Sequence, residues 1–256
     1  MIKILFIGDI VAQAGRNVVF NNISFLREEY AIDLVIANGE NAAHGKGITE
    51  KIYKQLVNGG IDLITMGNHT FAKSAIFEFI GAADRMVRPL NLEPVNVGNY
   101  YKLVEIKGKS LCVFNVLGTV FMITEQSAFE ATDAFLKQVK ADIYLCDFHG
   151  EATSEKILYA FNYQDRIQAV IGTHTHVQTA DERLIGNTAF ISDVGMCGVY
   201  NSILGRDIDE TKLRLVHQEK THFKVAEGPA VLCAVVISID EVTTRAVAIE
   251  RIQLRP

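Results

Sequence analysis

The sequence predicts an α/β protein: a parallel sheet built from βαβ units over the first two-thirds, with a strand-rich second half packed on it, in one domain spanning 1–256. Three observations carry this. Short apolar runs recur roughly every 30 residues with helix-like stretches between them, the rhythm of parallel strands and their crossovers. Apolar residues form 49% of the chain and charged residues 21%, enough to bury a sizeable core and too apolar for disorder. No repeat, low-complexity tract or linker divides the sequence.

The elements follow in order. IKILFIG (2–8) reads as a buried strand, followed by a Gly-containing loop and a helix from Arg16 to Tyr30. DLVIAN (33–38) is the second strand, and Thr49 caps an amphipathic helix, EKIYKQLVN. DLITM (62–66) is the third strand, with a helix expected over Ala72–Ile80. Lys107-Gly108-Lys109 between YKLVEI and SLCVFNVL signals a hairpin. A helix (Ser127–Lys140), a strand (DIYLCDF, 142–148), a helix (Ser154–Asn162) and a strand (AVIGTH, 169–174) continue the alternation. Strands dominate thereafter (ERLI, NTAFIS, AVLCAVVISI and TTRAVAIERIQL), with one helix near Asp207–His217.

Net charge is −5 without any Lys/Arg block, which argues against an extended nucleic-acid surface. The four cysteines (112, 146, 197, 233) are scattered and form no CxxC pair, so reduced thiols and a cytoplasmic location are expected. No stretch reaches the ~20 apolar residues of a membrane helix. Apolar residues from 196 onward (Met196, Val199, Tyr200, Ile203, Leu204) are expected to be exposed and to cover either the site or a neighbouring subunit of a homo-oligomer.

The chemistry collects where the strands end. Gly8-Asp9 follows the first strand, Gly39-Glu40-Asn41 the second and Gly67-Asn68-His69 the third. Asp147 and His149 close a later strand, and His174 and His176 the next. Ligands in parallel α/β sheets bind outside the carboxyl ends of the strands, where loops converge. Residues i and i+2 of a strand share a face, so His174 and His176 are expected to present two imidazoles together. Carboxylates, imidazoles and carboxamides without thiolates suit a pair of Fe, Mn or Zn ions, with Glu40 able to bridge them and His174 and His176 serving one ion each.

GD, GEN, GNH, a later His and GTHTHV, in that order, resemble the binuclear metallophosphoesterases of the calcineurin-like superfamily. GENAAHGKG, TMGNHT, DFHGEATSEK, GTHTHVQTADER and SDVGMCG resemble its bacterial YmdB-like phosphodiesterases, from Ile4 to about Arg251. This resemblance implies a four-layer αββα sandwich with the metal pair at the edge of two sheets. It implies one metal on Asp9, Glu40 and His176, with Asn41 as a further ligand or neighbour. The other metal is implied on Glu40, Asn68, His149 and His174, with His69 as the catalytic histidine. The implied activity is hydrolysis of phosphodiesters, including 2',3'- and 3',5'-cyclic nucleotides, by a metal-bridging hydroxide, with iron favoured over manganese or zinc. Asp147, Asp181 and Asp193 are expected to orient the imidazoles. The chain departs from the pattern at Val11, where most of the superfamily has a histidine. Close relatives carry Arg where it has Thr119, and a Pro/Asp-rich turn where it has MITEQS.

The rivals are weaker. GENAAHGKG lacks the G-x-x-x-x-G-K-[ST] spacing of a P-loop. An amidohydrolase places its H-x-H early and its acid late, the reverse of this order. A regulatory protein that binds metal and nucleotide with little turnover would need the same ligands, and only an assay separates it from an enzyme.

Overall fold

The structure is a computed structural model that describes residues 1–124 and 126–256; Glu125, within the MITEQS stretch, lies outside them. The first half comprises β1 (Ile2–Ile7), β2 (Asp9–Ile10), α1 (Ala12–Glu29), β3 (Leu34–Asn38), α2 (Glu50–Asn58), β4 (Leu63–Thr65), β5 (Met86–Val87), β6 (Tyr101–Ile106) and β7 (Lys109–Leu117). The second comprises α3 (Ala128–Gln138), β8 (Ile143–His149), α4 (Thr153–Tyr163), β9 (Ala169–Thr173), β10 (Arg183–Ile185), β11 (Thr188–Ile191), β12 (Met196–Val199), α5 (Ile208–Leu215), β13 (Ala230–Ile239) and β14 (Ala246–Leu254).

Two sheets result. One runs β2-β12-β13-β1-β3-β4-β5, with β14 added against β13; the other runs β10-β11-β9-β8-β7-β6. The βαβ prediction holds in both, since β1, β3, β4 and β5 pair in parallel, as do β7, β8 and β9. Alternation along each strand then builds the layers. Ile2, Ile4 and Phe6 of β1 meet Leu111 and Val113 of β7 and Ile143 and Leu145 of β8 between the sheets. Leu5 and Ile7 turn outward, into a core with Val19, Ile23 and Leu26 of α1 and Leu56 of α2. On the far side Phe114, Cys146 and Phe148 pack against Phe135 of α3 and Tyr159 and Tyr163 of α4. Helix, sheet, sheet, helix: this is the four-layer αββα sandwich.

Four expectations need correction. The stretch over Ala72–Ile80 is not an α-helix but two 3₁₀ turns, Ser74–Glu78 and Ile80–Ala82. Its buried residues fall three apart (Ile76 and Phe79, Ile80 and Ala83), the period of a 3₁₀ turn, and so short a segment gains little as an α-helix. No glycine loop precedes α1: the helix starts at Ala12, and Gly15 lies within it because a Cβ there would strike the Cys197 carbonyl. Met196 and Val199 are buried, not exposed; they form the unforeseen β12, paired with β2 on one side and β13 on the other. Tyr200, Ile203 and Leu204 are exposed as expected. Finally, β9 stops at Thr173, so the two histidines are not strand neighbours. No helix among the described residues is long and apolar enough to cross a membrane.

Candidate metal centre

The carboxyl ends of β1, β3, β4, β8 and β9 converge on one edge of the sandwich and carry all eight predicted site residues there. Asn38 ties the two sheets together beneath it, its Nδ2 donating to Asp147 Oδ2 at 3.1 Å. Asp9, Glu40, Asn41 and His149 are buried, while Asn68, His69, His174 and His176 are partly exposed, the three histidines lining the pocket above.

Left-handed backbone, rather than strand pleat, aims the two histidines of GTHTHV. His174 has φ of 100° and His176 of 66°, conformations a non-glycine residue adopts only when its surroundings hold it there. A buried ion pair supplies that hold. Lys156 Nζ, from α4, donates to the Thr173 carbonyl (2.7 Å) and to Asp193 Oδ2 (3.0 Å), and Asp193 Oδ2 also accepts from Thr175 N–H (2.9 Å).

Around His149 Nε2 stand Asn68 Oδ1 at 3.0 Å, His174 Nδ1 at 3.1 Å and Glu40 Oε1 at 3.2 Å. A second group lies beside it. His176 Nε2 is 3.9 Å from Asp9 Oδ1 and 3.1 Å from Asn41 Nδ2, which is itself 3.2 Å from Glu40 Oε1. Glu40 stands between the two groups.

Each of the three imidazoles predicted as ligands is fixed from behind, so its other nitrogen faces inward. His149 Nδ1 meets Thr173 Oγ1 at 2.8 Å, and that hydroxyl donates to Asp147 Oδ1 at 2.6 Å. His174 Nε2 meets Glu151 Oε2 at 3.1 Å, and His176 Nδ1 meets the Leu204 carbonyl at 3.0 Å. Of the three expected orienting acids, Asp147 acts through Thr173 and Asp193 holds the loop; Asp181 instead binds the N–H and hydroxyl of Ser192, away from the imidazoles. Thr173, Glu151, Lys156 and the Leu204 carbonyl were not foreseen. Glu151 and Lys156 lie within DFHGEATSEK and Thr173 within GTHTHV, so their positions beside the ligands were the available signal. A backbone carbonyl 28 residues away leaves none.

Space at the centre is reserved. A Cβ on Gly67 would collide with Glu40 Oε2 and the His149 ring, so the glycine before Asn68 is required for close approach. Gly8 and Gly39 serve tight packing elsewhere, against the Gly195 backbone and the Ile64 side chain. Val11, where the superfamily histidine is absent, packs against Gly198 and Gly205 and so seats the 200s loop over the site. Thr119 gives both its N–H (2.9 Å) and its hydroxyl (2.6 Å) to Glu155 and does not line the pocket.

Electrostatics mark the same residues. Burial disfavours a charged His149, yet the adjacent Glu40 carboxylate outweighs it and lifts the ring to about 9. Burial likewise works against Glu40, but His149 holds it well below the usual carboxylate range. Burial raises Asp9 to about 6, because His176 and His149 offset only part of the cost, and burial with the neighbouring His149 charge lowers His174 to about 4. A pocket of about 310 Å³ opens over the cluster. A larger cleft of about 580 Å³, beside the start of α1, has His44 and Glu227 as its titratable lining besides Arg16 and offers no comparable ligand set.

The comparisons with known proteins decide the family. Residues 5–252 match the YmdB-like protein family. The chain belongs to the YmdB-like family. It is thereby a metallophosphoesterase of calcineurin-like fold. A YmdB-like relative, the 2',3'-cyclic-nucleotide 2'-phosphodiesterase of Bacillus subtilis (strain 168), is 45% identical over 253 residues, covering 98% of this chain and 96% of its own. A crystal structure of a novel phosphatase of Mycoplasma pneumoniae superposes with a TM-score of 0.94 at 33% identity, covering 99% of this chain and 93% of its own. Beyond the YmdB-like proteins, the NAD nucleotidase of Haemophilus influenzae shares the fold, with a TM-score of 0.59 at 15% identity, covering 99% of this chain and 56% of its own.

Proposed function

We propose that this chain is a binuclear metal-dependent phosphodiesterase acting on cyclic nucleotides, with Asp9, Glu40, Asn41 and His176 at one ion and Glu40, Asn68, His149 and His174 at the other. The observation that carries this is the set of donor atoms 3.0–3.2 Å from His149 Nε2. Donors ~2.0–2.2 Å from a common ion lie ~2.8–3.6 Å from one another, and the three distances to His149 Nε2 fall in that range; one ligand atom each from Glu40, His149 and His174 all lie within 4.8 Å of one another, close enough for a single ion to gather them. Asp9 Oδ1 adds to the fit: it is buried without a hydrogen-bond partner, a costly state that a cation relieves. Oxygen and imidazole donors without thiolate suit iron, with manganese or zinc as alternatives.

Two bound ions would lower the pKa of water and screen charge on the phosphoryl oxygens. The chain's own part is to hold the diester and manage the proton. Hydrolysis of a 2',3'-cyclic phosphate forms one bond from water oxygen to phosphorus and breaks the bond from phosphorus to O2', which leaves needing a proton. His69 is the residue proposed to supply it. Its Nδ1 lies 3.0 Å from Asn41 Oδ1, its backbone N–H donates to Glu40 Oε2 (2.8 Å), and its ring lines the pocket. The 45% identity to the B. subtilis enzyme supports the 2',3'-cyclic substrate.

Protein loaded with Mn or Fe is expected to hydrolyse bis-p-nitrophenyl phosphate and 2',3'-cyclic AMP; hydrolysis of neither would favour the metal- and nucleotide-binding regulator instead. Metal uptake should also depend on pH. Without metal, His149 keeps a proton up to about 9 and Asp9 up to about 6, and each must be released for an ion to bind. Apparent affinity is therefore expected to rise ~tenfold per pH unit between 6.5 and 9, and more steeply below 6. Both raised groups stabilise the metal-free fold at low pH, and that stabilisation is lost as pH rises through their folded values. Calorimetric titration with Mn in buffers of different ionisation enthalpy counts the protons; affinity independent of pH over 6.5–8.5 would contradict the assignment.

A further inference from the structure

Part of the pocket wall has no role in holding ions. Its described lining, apart from the cluster residues and the adjoining Glu151 and Thr175, consists of Val11, Gly45, Leu204, Arg206 and Phe223. We propose that Leu204, Arg206 and Phe223 form a platform for a nucleobase, which makes a nucleoside cyclic phosphate the preferred substrate over a diester that carries no base. This rests on the phosphodiesterase reading above and adds to it the residues that choose among diesters.

The platform is built by a short ribbon. Ala226 N–H donates to the Gly205 carbonyl (2.9 Å), and Asp207 N–H to the Lys224 carbonyl (3.0 Å), bringing Arg206 beside Phe223 across a sixteen-residue excursion that contains α5. Leu204 (φ 55°) and Gly205 (φ 91°) turn the chain tightly between Ile203 and Arg206, and the same turn delivers the Leu204 carbonyl to His176 Nδ1. The wall is thus fastened to the cluster by a hydrogen bond, and its distance from the reacting phosphate is fixed by the backbone.

Its chemistry matches a flat heterocycle. Phe223 is 48% exposed, and the Arg206 guanidinium lies 5.0 Å from its ring centroid. Aromatic rings and guanidinium planes are the side chains on which single bases stack. Arg206 is held in advance. Arg206 Nη2 donates to both oxygens of Glu210 at 2.8 Å, and Thr221 Oγ1 donates to Glu210 Oε1 at 2.6 Å, so little side-chain freedom is lost on binding. Gly45, with φ of 81°, leaves room for the ring: a Cβ there would lie 2.9 Å from Phe223 Cε1 and Cζ. This gives the GENAAHGKG loop a second task besides carrying Glu40 and Asn41. Arg206 is also the one arginine or lysine in the described lining of this pocket, while Thr119 is occupied with Glu155.

The test measures binding and turnover of 2',3'-cyclic AMP and of glycerol 1,2-cyclic phosphate by metal-loaded protein, in the wild type and in Phe223→Leu, Phe223→Tyr and Arg206→Met. Losing a stacked base should weaken 2',3'-cyclic AMP about tenfold or more, seen in Kd and KM with kcat little changed. The loss for 2',3'-cyclic AMP in Phe223→Leu and Arg206→Met should exceed that for the glycerol ester by about tenfold, and Phe223→Tyr should stay close to wild type. Equal losses on both ligands, or no loss on either, would overturn the proposal. Because Kd is read without turnover, a protein that binds both compounds but hydrolyses neither would sink the phosphodiesterase reading while still deciding this one.

Discussion

Glu40→Gln is expected to empty the site of metal and to lower turnover on the order of 10³-fold or more, with secondary structure unchanged. The substitution is nearly isosteric, so the effect isolates charge. Glu40 stands between the two groups, with Oε1 3.2 Å from His149 Nε2 and accepting a hydrogen bond from Asn41 Nδ2 at 3.2 Å. A glutamine there loses the negative charge and can offer one oxygen at most. His149 reports the change independently. Its elevation to about 9 depends on Glu40 overcoming burial, so in the variant the ring should titrate well below 9. Elemental analysis, steady-state rates and a histidine proton titration together check the expectation; a variant with normal metal content and rate would remove Glu40 from the centre.

His69→Ala should behave differently. Turnover of 2',3'-cyclic AMP is expected to fall ~10²–10⁴-fold, the range for loss of a positioned proton donor, while the ions stay bound. Alanine keeps the backbone N–H that donates to Glu40; the ring it removes borders Asn41 Oδ1 (3.0 Å) and Glu40 Oε1 (3.3 Å) but is not among the atoms gathered at His149 Nε2. The nature of the loss can be read from the leaving group. A ribose alkoxide needs a proton as it departs, whereas p-nitrophenolate leaves without one. The variant should therefore lose much less activity on bis-p-nitrophenyl phosphate than on the cyclic nucleotide. Equal losses on both would assign His69 to binding, and loss of metal would make it a ligand.

Legibility in the sequence tracked how locally each feature is encoded. Long, mostly apolar runs such as IKILFI and SLCVFNVL announced strands, because burial on both faces leaves few polar positions. The short MCGV strand did not stand out, since four residues with a glycine carry no period. The motif residues were legible because each follows a strand, and parallel strands deliver their carboxyl ends to one edge. What positions those residues was harder to see. The turn at His174 and His176 is imposed by Lys156 and Asp193 from other elements, and the acceptor for His176 is a main-chain carbonyl set by the backbone at Leu204. Val11 was legible as a missing imidazole but not as the residue on which Gly205 rests.

Lys156 and Asp193, wholly withdrawn from solvent under the histidine loop, have a bearing on how the protein is born. Charges so deeply enclosed must find each other as the chain compacts, since either one stranded alone would be costly. The receptacle is accordingly expected to form during folding, ahead of its ions, unlike small zinc modules that take shape only around the metal. Chelation should then yield a dormant, shape-retaining protein whose activity returns on resupply, measurable as unchanged circular dichroism with reversible loss of turnover.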